Sequence, residues 1–175
     1  MEWGEGYTQT QLDDAQARYG LAFPADLAAL LRERRLVGRG SYDWSTENDQ
    51  IRQMLAWPFE LLAFDLDHGS WWPDWGDRPD DPDARREVLR RALADAPRLI
   101  PIYGHRFLPE SVGATAGNPV ISMHGFDTIY YGSNLADYFM REDRTEKSPM
   151  GPVRHVPFWS DIIERWDEVL SAFTR

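Results

Sequence analysis

Between Leu99 and Tyr131 the chain places three short β-prone runs so close together that little choice remains in how they pair. Leu99-Ile-Pro-Ile-Tyr103, Pro119-Val-Ile-Ser-Met123 and Thr128-Ile-Tyr-Tyr131 are punctuated by Gly104, Gly117, Gly125 and Gly132, a pattern of strands separated by turns. A parallel crossover needs about a dozen residues or more, and only residues 124–127 lie between the last two runs. These runs therefore read as an antiparallel meander. Helical periods flank it on both sides, which sets the class as α+β, an antiparallel or mixed sheet wrapped by helices, rather than a doubly wound α/β sheet.

The flanking helices follow from spacing and punctuation. Thr10 and Asp13 resemble a capping box ahead of Leu12, Ala15 and Tyr19, and Gly20 stops that helix. Pro24 starts a second over Ala25 to Arg34, with Leu27, Leu30 and Leu31 on one face. Thr46 caps a short third helix carrying Ile51, Met54 and Leu55, expected to end at Trp57-Pro58; Phe59 to Phe64 is readable as helix or strand. Asp80 to Ala94 reads as a helix with Val88, Leu89, Ala92 and Leu93 inward and Arg85, Arg86, Arg90 and Arg91 on a solvated face. Ser133 caps a helix with Leu135, Tyr138 and Phe139, and residues 145–157 form a loop. The last helix has the clearest period: Trp159, Ile162, Ile163, Trp166, Val169, Leu170 and Phe173 make one core stripe.

At 175 residues, with no repeat and no second-domain boundary, the chain reads as a single domain over 1–175. It has no cysteine, so disulfides and thiolate metal sites are excluded, in keeping with a reducing cytoplasm. No signal peptide or membrane span is expected. A net charge of -10 and a pI of about 4.8 oppose binding to a phosphate backbone and favour basic partners.

The stretch DHGSWWPDWGDRP, residues 67–79, suits neither regular helix nor regular strand. It reads as architecture with one exposed rim: Trp71 and Trp75 as lid-like core, and Trp72, pointing another way from its neighbour, turned toward a partner. Arg78 is expected to pair with Asp74 or Asp77, or to stack on an indole. Asp65, Asp67 and His68, with His105, His124 and His155, offer metal-ligand atoms but lack ligand spacing, and no metal or other cofactor is assigned. Ser122 or Ser133 with His124 and Asp127 imitates a nucleophile, base and orienting acid without a nucleophile elbow, and no residue is assigned as catalytic. His105-Arg106, after Gly104, reads either as an anchor for a carboxylate or phosphate or as a structural pair in which Arg106 meets a local acid such as Glu110 or an Asp of the tryptophan loop. Tyr130 and Tyr131 should face opposite sides of their strand.

Several runs carry a resemblance: Tyr19-Gly20 followed by Phe23-Pro24-Ala25-Asp26-Leu27, then Trp71, Trp75-Gly76-Asp77-Arg78-Pro79, IPIYGHRFLP at 100–109, GNPVISMHGFDTIYYG at 117–132 and the following LADYF. Together they resemble the bacterial branch of the SUKH superfamily. The Asn-Gly usual in that family after the second helix is replaced here by Arg32-Glu-Arg-Arg-Leu36. The resemblance implies an α+β protein-binding module, in bacteria an immunity protein that neutralises a toxin, and it carries no catalytic residue. The expectation is therefore a cytoplasmic, non-enzymatic protein that occludes a basic toxin domain. Its contacts would run through Trp72, Asp74, Asp77, Asp80 and Asp81, with His105 and Arg106 as a second anchor. An adaptor of the same fold, or a small hydrolase or saccharide-binding protein using the tryptophan loop, are the alternatives.

Overall fold

A computed structural model describes residues 1–110, 116–142 and 149–173. Residues 145–148 of the expected loop, and the side chains of Leu170 and Phe173 in the expected stripe, lie outside the described residues. The element order is β1 (Glu2–Glu5), α1 (Gln9–Tyr19), α2 (Ala25–Glu33), β2 (Arg34–Val37), α3 (Asp49–Asp67), a 3-10 turn (Pro73–Trp75) and α4 (Pro82–Leu93). Then follow β3 (Leu99–Tyr103), β4 (Arg106–Pro109), β5 (Val120–Ser122), β6 (Ile129–Gly132), α5 (Leu135–Glu142) and α6 (Trp159–Phe173). The fold is α+β.

The antiparallel meander forms, but with four strands rather than three: Arg106–Pro109 was not expected as a strand and lies between the first two expected runs, giving the order β3-β4-β5-β6 with every pair antiparallel. Period-two alternation divides its side chains between two cores. Ile100, Ile102, Leu108 and Val120 pack with Leu12, Leu27, Leu31, Leu135 and Tyr138 of α1, α2 and α5. Leu99, Phe107 and Ile121 pack with Leu62, Leu66, Leu89, Trp159, Ile162 and Trp166 of α3, α4 and α6. Both faces of the sheet are thus covered by helices. Burying a side chain such as Phe107 stabilises by about 1.5–3 kcal/mol.

Several helix boundaries depart from expectation. Thr8 and Gln11, not Thr10 and Asp13, make the capping box of α1. Asn48 rather than Thr46 caps α3, and Asn134 rather than Ser133 accepts the Asp137 amide at 2.9 Å to start α5. The largest correction is α3, which runs through Pro58 instead of ending there. An interior proline costs about 3 kcal/mol through its lost hydrogen bond and ring clash. Against that, Ile51, Pro58, Leu62, Ala63 and Leu66 are all buried, with Met54, Leu55 and Phe59 partly so. Their apolar stripe is unbroken at helical spacing, and its burial outweighs the proline.

A second, two-stranded sheet was not expected: β1 pairs antiparallel with β2, Trp3 opposite Leu36 and Glu5 opposite Arg34. It occupies the place where Arg34 was assigned to the second helix. Among the described residues no helix is long and apolar enough to cross a membrane.

Candidate functional site

The tryptophan stretch folds by satisfying its own backbone. Pro73 sits at the start of the 3-10 turn and Gly76, at φ 78, leaves it in a conformation that disfavours a side chain. The Trp71 indole N–H donates to the Gly76 carbonyl at 2.7 Å, and Trp71 and Trp75 meet edge to face at 5.6 Å. Trp71 is core, as expected, and Trp75 is half-buried against Phe126. Trp72 corrects the expectation: it is only 4% exposed. Its ring lies parallel to Phe126 at 6.2 Å, Phe126 stacks on Trp166 at 4.7 Å, and the Arg165 guanidinium lies 5.1 Å from the indole. Adjacent tryptophans do diverge, but the β5–β6 turn and α6 close over the one that sequence reasoning left outside.

Beyond the turn, residues 74–83 form an acidic ridge pinned from behind. The Arg78 guanidinium donates to the Leu66 carbonyl at 2.8 Å, and among the described residues it makes no ion pair with Asp74 or Asp77 and no stack on an indole. Arg85 was expected on a solvated face, yet its side chain is 7% exposed. It donates to the carbonyls of Pro79 at 3.1 Å and Asp80 at 2.7 Å, and to the Asp67 carboxylate at 3.0 Å. Arg86 reaches the other oxygen of Asp67 at 2.5 Å. Two arginines thus tie the ridge backbone to the last turn of α3. A charge-bearing helix face turns inward here because it finds a carboxylate and two carbonyls that no local pattern announces.

The carboxylates on this frame point to solvent: Asp74, Asp77, Asp80, Asp81 and Asp83 are all exposed. Asp81 caps α4 by accepting the Ala84 amide at 3.0 Å. Asp74 pairs with Arg165 at 2.6 Å, and that hydrogen bond holds its carboxyl below the usual carboxylate range. Among the described residues Asp77 and Asp80 make no ion pair. The ridge is therefore a set of negative charges on a clamped backbone, three of which, Asp77, Asp80 and Asp81, have no ion pair among the described residues.

Next to it lies an apolar element that sequence reasoning missed. Phe64 on α3 is 56% exposed and Trp57 is 39% exposed. His68 stacks on Phe64 at 3.9 Å and donates from Nδ1 to the Phe64 carbonyl at 2.7 Å. Trp57, Leu61, Phe64 and His68 fall at i, i+4, i+7 and i+11, one face of a helix. That face became visible only once α3 continued past Pro58. Phe64 is within one turn of Leu66 and Asp67, the residues that hold the ridge, so the aromatic pair and the acidic ridge share the same end of α3.

His105 and Arg106 do not join this surface. They line another recess, with Tyr103, Gly104, Tyr138 and Glu142. Arg106 does not pair with Glu110: its guanidinium sits 3.6 Å from the centre of the Tyr131 ring and donates to Ser122 Oγ at 2.9 Å. Tyr130 and Tyr131 are both half-buried, Tyr130 bonding Ser160 and Glu164 and Tyr131 lying under Arg106.

The other sequence candidates are engaged elsewhere. Ser122 is buried beneath Arg106, while His124 and Asp127 are exposed, His124 packing on His105 at 4.5 Å. No hydrogen bond joins Ser122, His124 and Asp127 among the described residues. Ser133 donates to Asp137. Asp65 accepts the Phe126 amide at 2.8 Å, and burial holds its carboxyl above the usual range. Asp67 is taken by two arginines, and His155 lies 3.8 Å from Asp161. Among the described residues no three His, Cys, Asp or Glu side chains are gathered to hold a metal ion. No family model, curated protein or solved structure gives a significant match to this chain.

Proposed function

We propose that the chain is a cytoplasmic protein-binding module of SUKH type, an immunity protein that neutralises a cognate bacterial toxin by covering its basic active-site cleft. The observation that supports this most is the ridge at 74–83. Its backbone is clamped by Arg78 and Arg85, while the carboxylates of Asp77 and Asp80 stand in solvent without a cation among the described residues. A surface fixed before binding loses little conformational freedom on docking. Its negative charges accelerate encounter with a positive partner and fix the orientation. The exposed Trp57 and Phe64 supply the aromatic anchors that dominate such interfaces. In this reading Trp72 supports the ridge from within rather than touching the partner.

The test is growth rescue. The product of the adjacent gene, expressed alone, should arrest bacterial growth, and co-expression of this protein should restore it. Asp77→Lys with Asp80→Lys should abolish rescue while the purified variant keeps the wild-type melting temperature. Rescue by the charge-reversed variant, or an adjacent product that is neither toxic nor bound, would overturn the proposal.

A further inference from the structure

The recess lined by His105 and Arg106 shares no residue with the acidic ridge or with the aromatic face of α3, and its chemistry is specific. It encloses about 150 Å³ and is lined by Tyr103, Gly104, His105, Arg106, Tyr138 and Glu142. Its frame is rigid. The Gly104 carbonyl accepts the Tyr42 hydroxyl, and the Gly104 amide donates to the Gly40 carbonyl at 2.8 Å. Arg106 is held over Tyr131 and oriented by Ser122, yet it faces no carboxylate within ion-pair distance among the described residues.

Tyr138 lies at the floor. It is fully buried, and its hydroxyl has no hydrogen-bond partner among the described residues. The charged and phenolic groups acting on that hydroxyl are Glu142, Arg106, Tyr131 and Tyr103, of which all but Tyr131 line the recess. A buried hydroxyl without an acceptor is uncommon because the lost hydration is not replaced. Here a tyrosine with an unpaired hydroxyl and an arginine without a carboxylate among the described residues line one cavity, and a further lining residue, Glu142, is exposed and makes no ion pair among the described residues.

We propose that this recess binds a small zwitterionic amino acid, its carboxylate taken by Arg106 and the Tyr138 hydroxyl and its ammonium by Glu142. Size limits the ligand: a cavity of this volume accommodates about six non-hydrogen atoms, the size of benzene, which admits glycine, alanine or serine. Charge limits it too. Among the described residues Arg106 is the one fixed cation lining the recess, and Glu142 repels a dianion such as phosphate. His105 adds no second positive charge, because burial, then Arg106 and His124, disfavour its protonation. The Tyr138 hydroxyl is closed off from bulk solvent, and in the proposed binding mode the exposed Glu142 side chain moves to admit the ligand.

The experiment is a nuclear magnetic resonance titration of the full chain, following the amides of Gly104, His105 and Arg106. Glycine, alanine and serine are the probes, with acetate and methylamine as their separate halves. At least one amino acid should shift these amides saturably, and either half should bind at least about tenfold more weakly, the loss of one hydrogen bond to a charged group. Tyr138→Phe and Glu142→Gln should each weaken binding by a similar factor. Tyr138→Phe should also leave the melting temperature of the free protein undiminished, since it removes only an unpaired hydroxyl. If that variant fails to fold, Glu142→Gln at the surface carries the test. No saturable shift with any of the three amino acids, equal affinity for acetate, or undiminished binding by Glu142→Gln would overturn the proposal. Asp77→Lys should leave the titration unaltered, which separates this site from the docking ridge.

Discussion

Replacing Asp67 by Asn should destabilise the protein by about 2–3 kcal/mol and loosen the acidic ridge. Asp67 binds Arg85, whose side chain is 7% exposed, and Arg86, whose side chain is 35% exposed. Breaking one side of a buried ion pair costs about 3–5 kcal/mol because the remaining charge is stranded. Two features reduce that figure here. Arg85 keeps its bonds to the carbonyls of Pro79 and Asp80, and the Asn amide oxygen still accepts one hydrogen bond. In a chain of this size 1 kcal/mol corresponds to roughly 2–4 °C, so the melting temperature should fall by about 4–12 °C. Arg86→Gln, at the more exposed partner, should cost under about 1 kcal/mol. Calorimetric unfolding measures both, and a double-mutant cycle with Arg85→Met should show coupling above about 1 kcal/mol. Hydrogen exchange of the amides between 77 and 82 should rise in Asp67→Asn, because these are the residues the clamp holds. A variant that melts within a degree of wild type, or an equal loss from Arg86→Gln, would refute the argument that the buried arginine fixes the ridge.

Trp72→Ala should cost about 3–5 kcal/mol, since the indole is enclosed by Phe126 and Arg165. Denaturant unfolding checks it, and a near-neutral result would return Trp72 to the surface. Gly125→Ala should destabilise by at least about 1–2 kcal/mol: φ is +65 there and the new Cβ would fall on the Asp65 carboxylate that holds the Phe126 amide. Its thermal midpoint tests this. His105 is held below its ordinary 6.5 by burial, Arg106 and His124. The unfolded chain takes up the proton first as pH falls, so stability contributed above pH 6.5 is lost below it. Urea midpoints should therefore drop on acidification below that value, and less steeply in His105→Gln; identical slopes would exclude His105 as the source.

The parts of the fold that were legible in the sequence are those set by local pattern. Glycine spacing and short gaps imposed an antiparallel meander, whereas its extra strand β4 and the division of its side chains between two cores emerged only in the structure. The α3 stripe was equally periodic, but Pro58 read as a stop because propensity was weighed locally, while burial of the whole stripe decides the outcome. The β1–β2 pair joins charged four-residue strands about thirty positions apart, and nothing in either strand announces the other. The candidate site divides the same way. Exposed Asp74, Asp77, Asp80 and Asp81 followed from composition and turn chemistry. The burial of Trp72 and Arg85 depends on Phe126, Trp166, Asp67 and two backbone carbonyls arriving from distant segments. Phe64 and Trp57 could be seen as a surface only after the helix beneath them was known.

The most direct measurement is calorimetric titration of the adjacent-gene product with wild-type protein, with Asp77→Lys/Asp80→Lys and with Phe64→Ala, at low and high salt. The account predicts a tight complex with a basic partner, weakened by salt through screening of the ridge charges. It should weaken further on charge reversal, and Phe64→Ala should bind more weakly without loss of folding stability. Affinity indifferent to salt and to both sets of ridge and anchor substitutions would contradict docking through this end of α3.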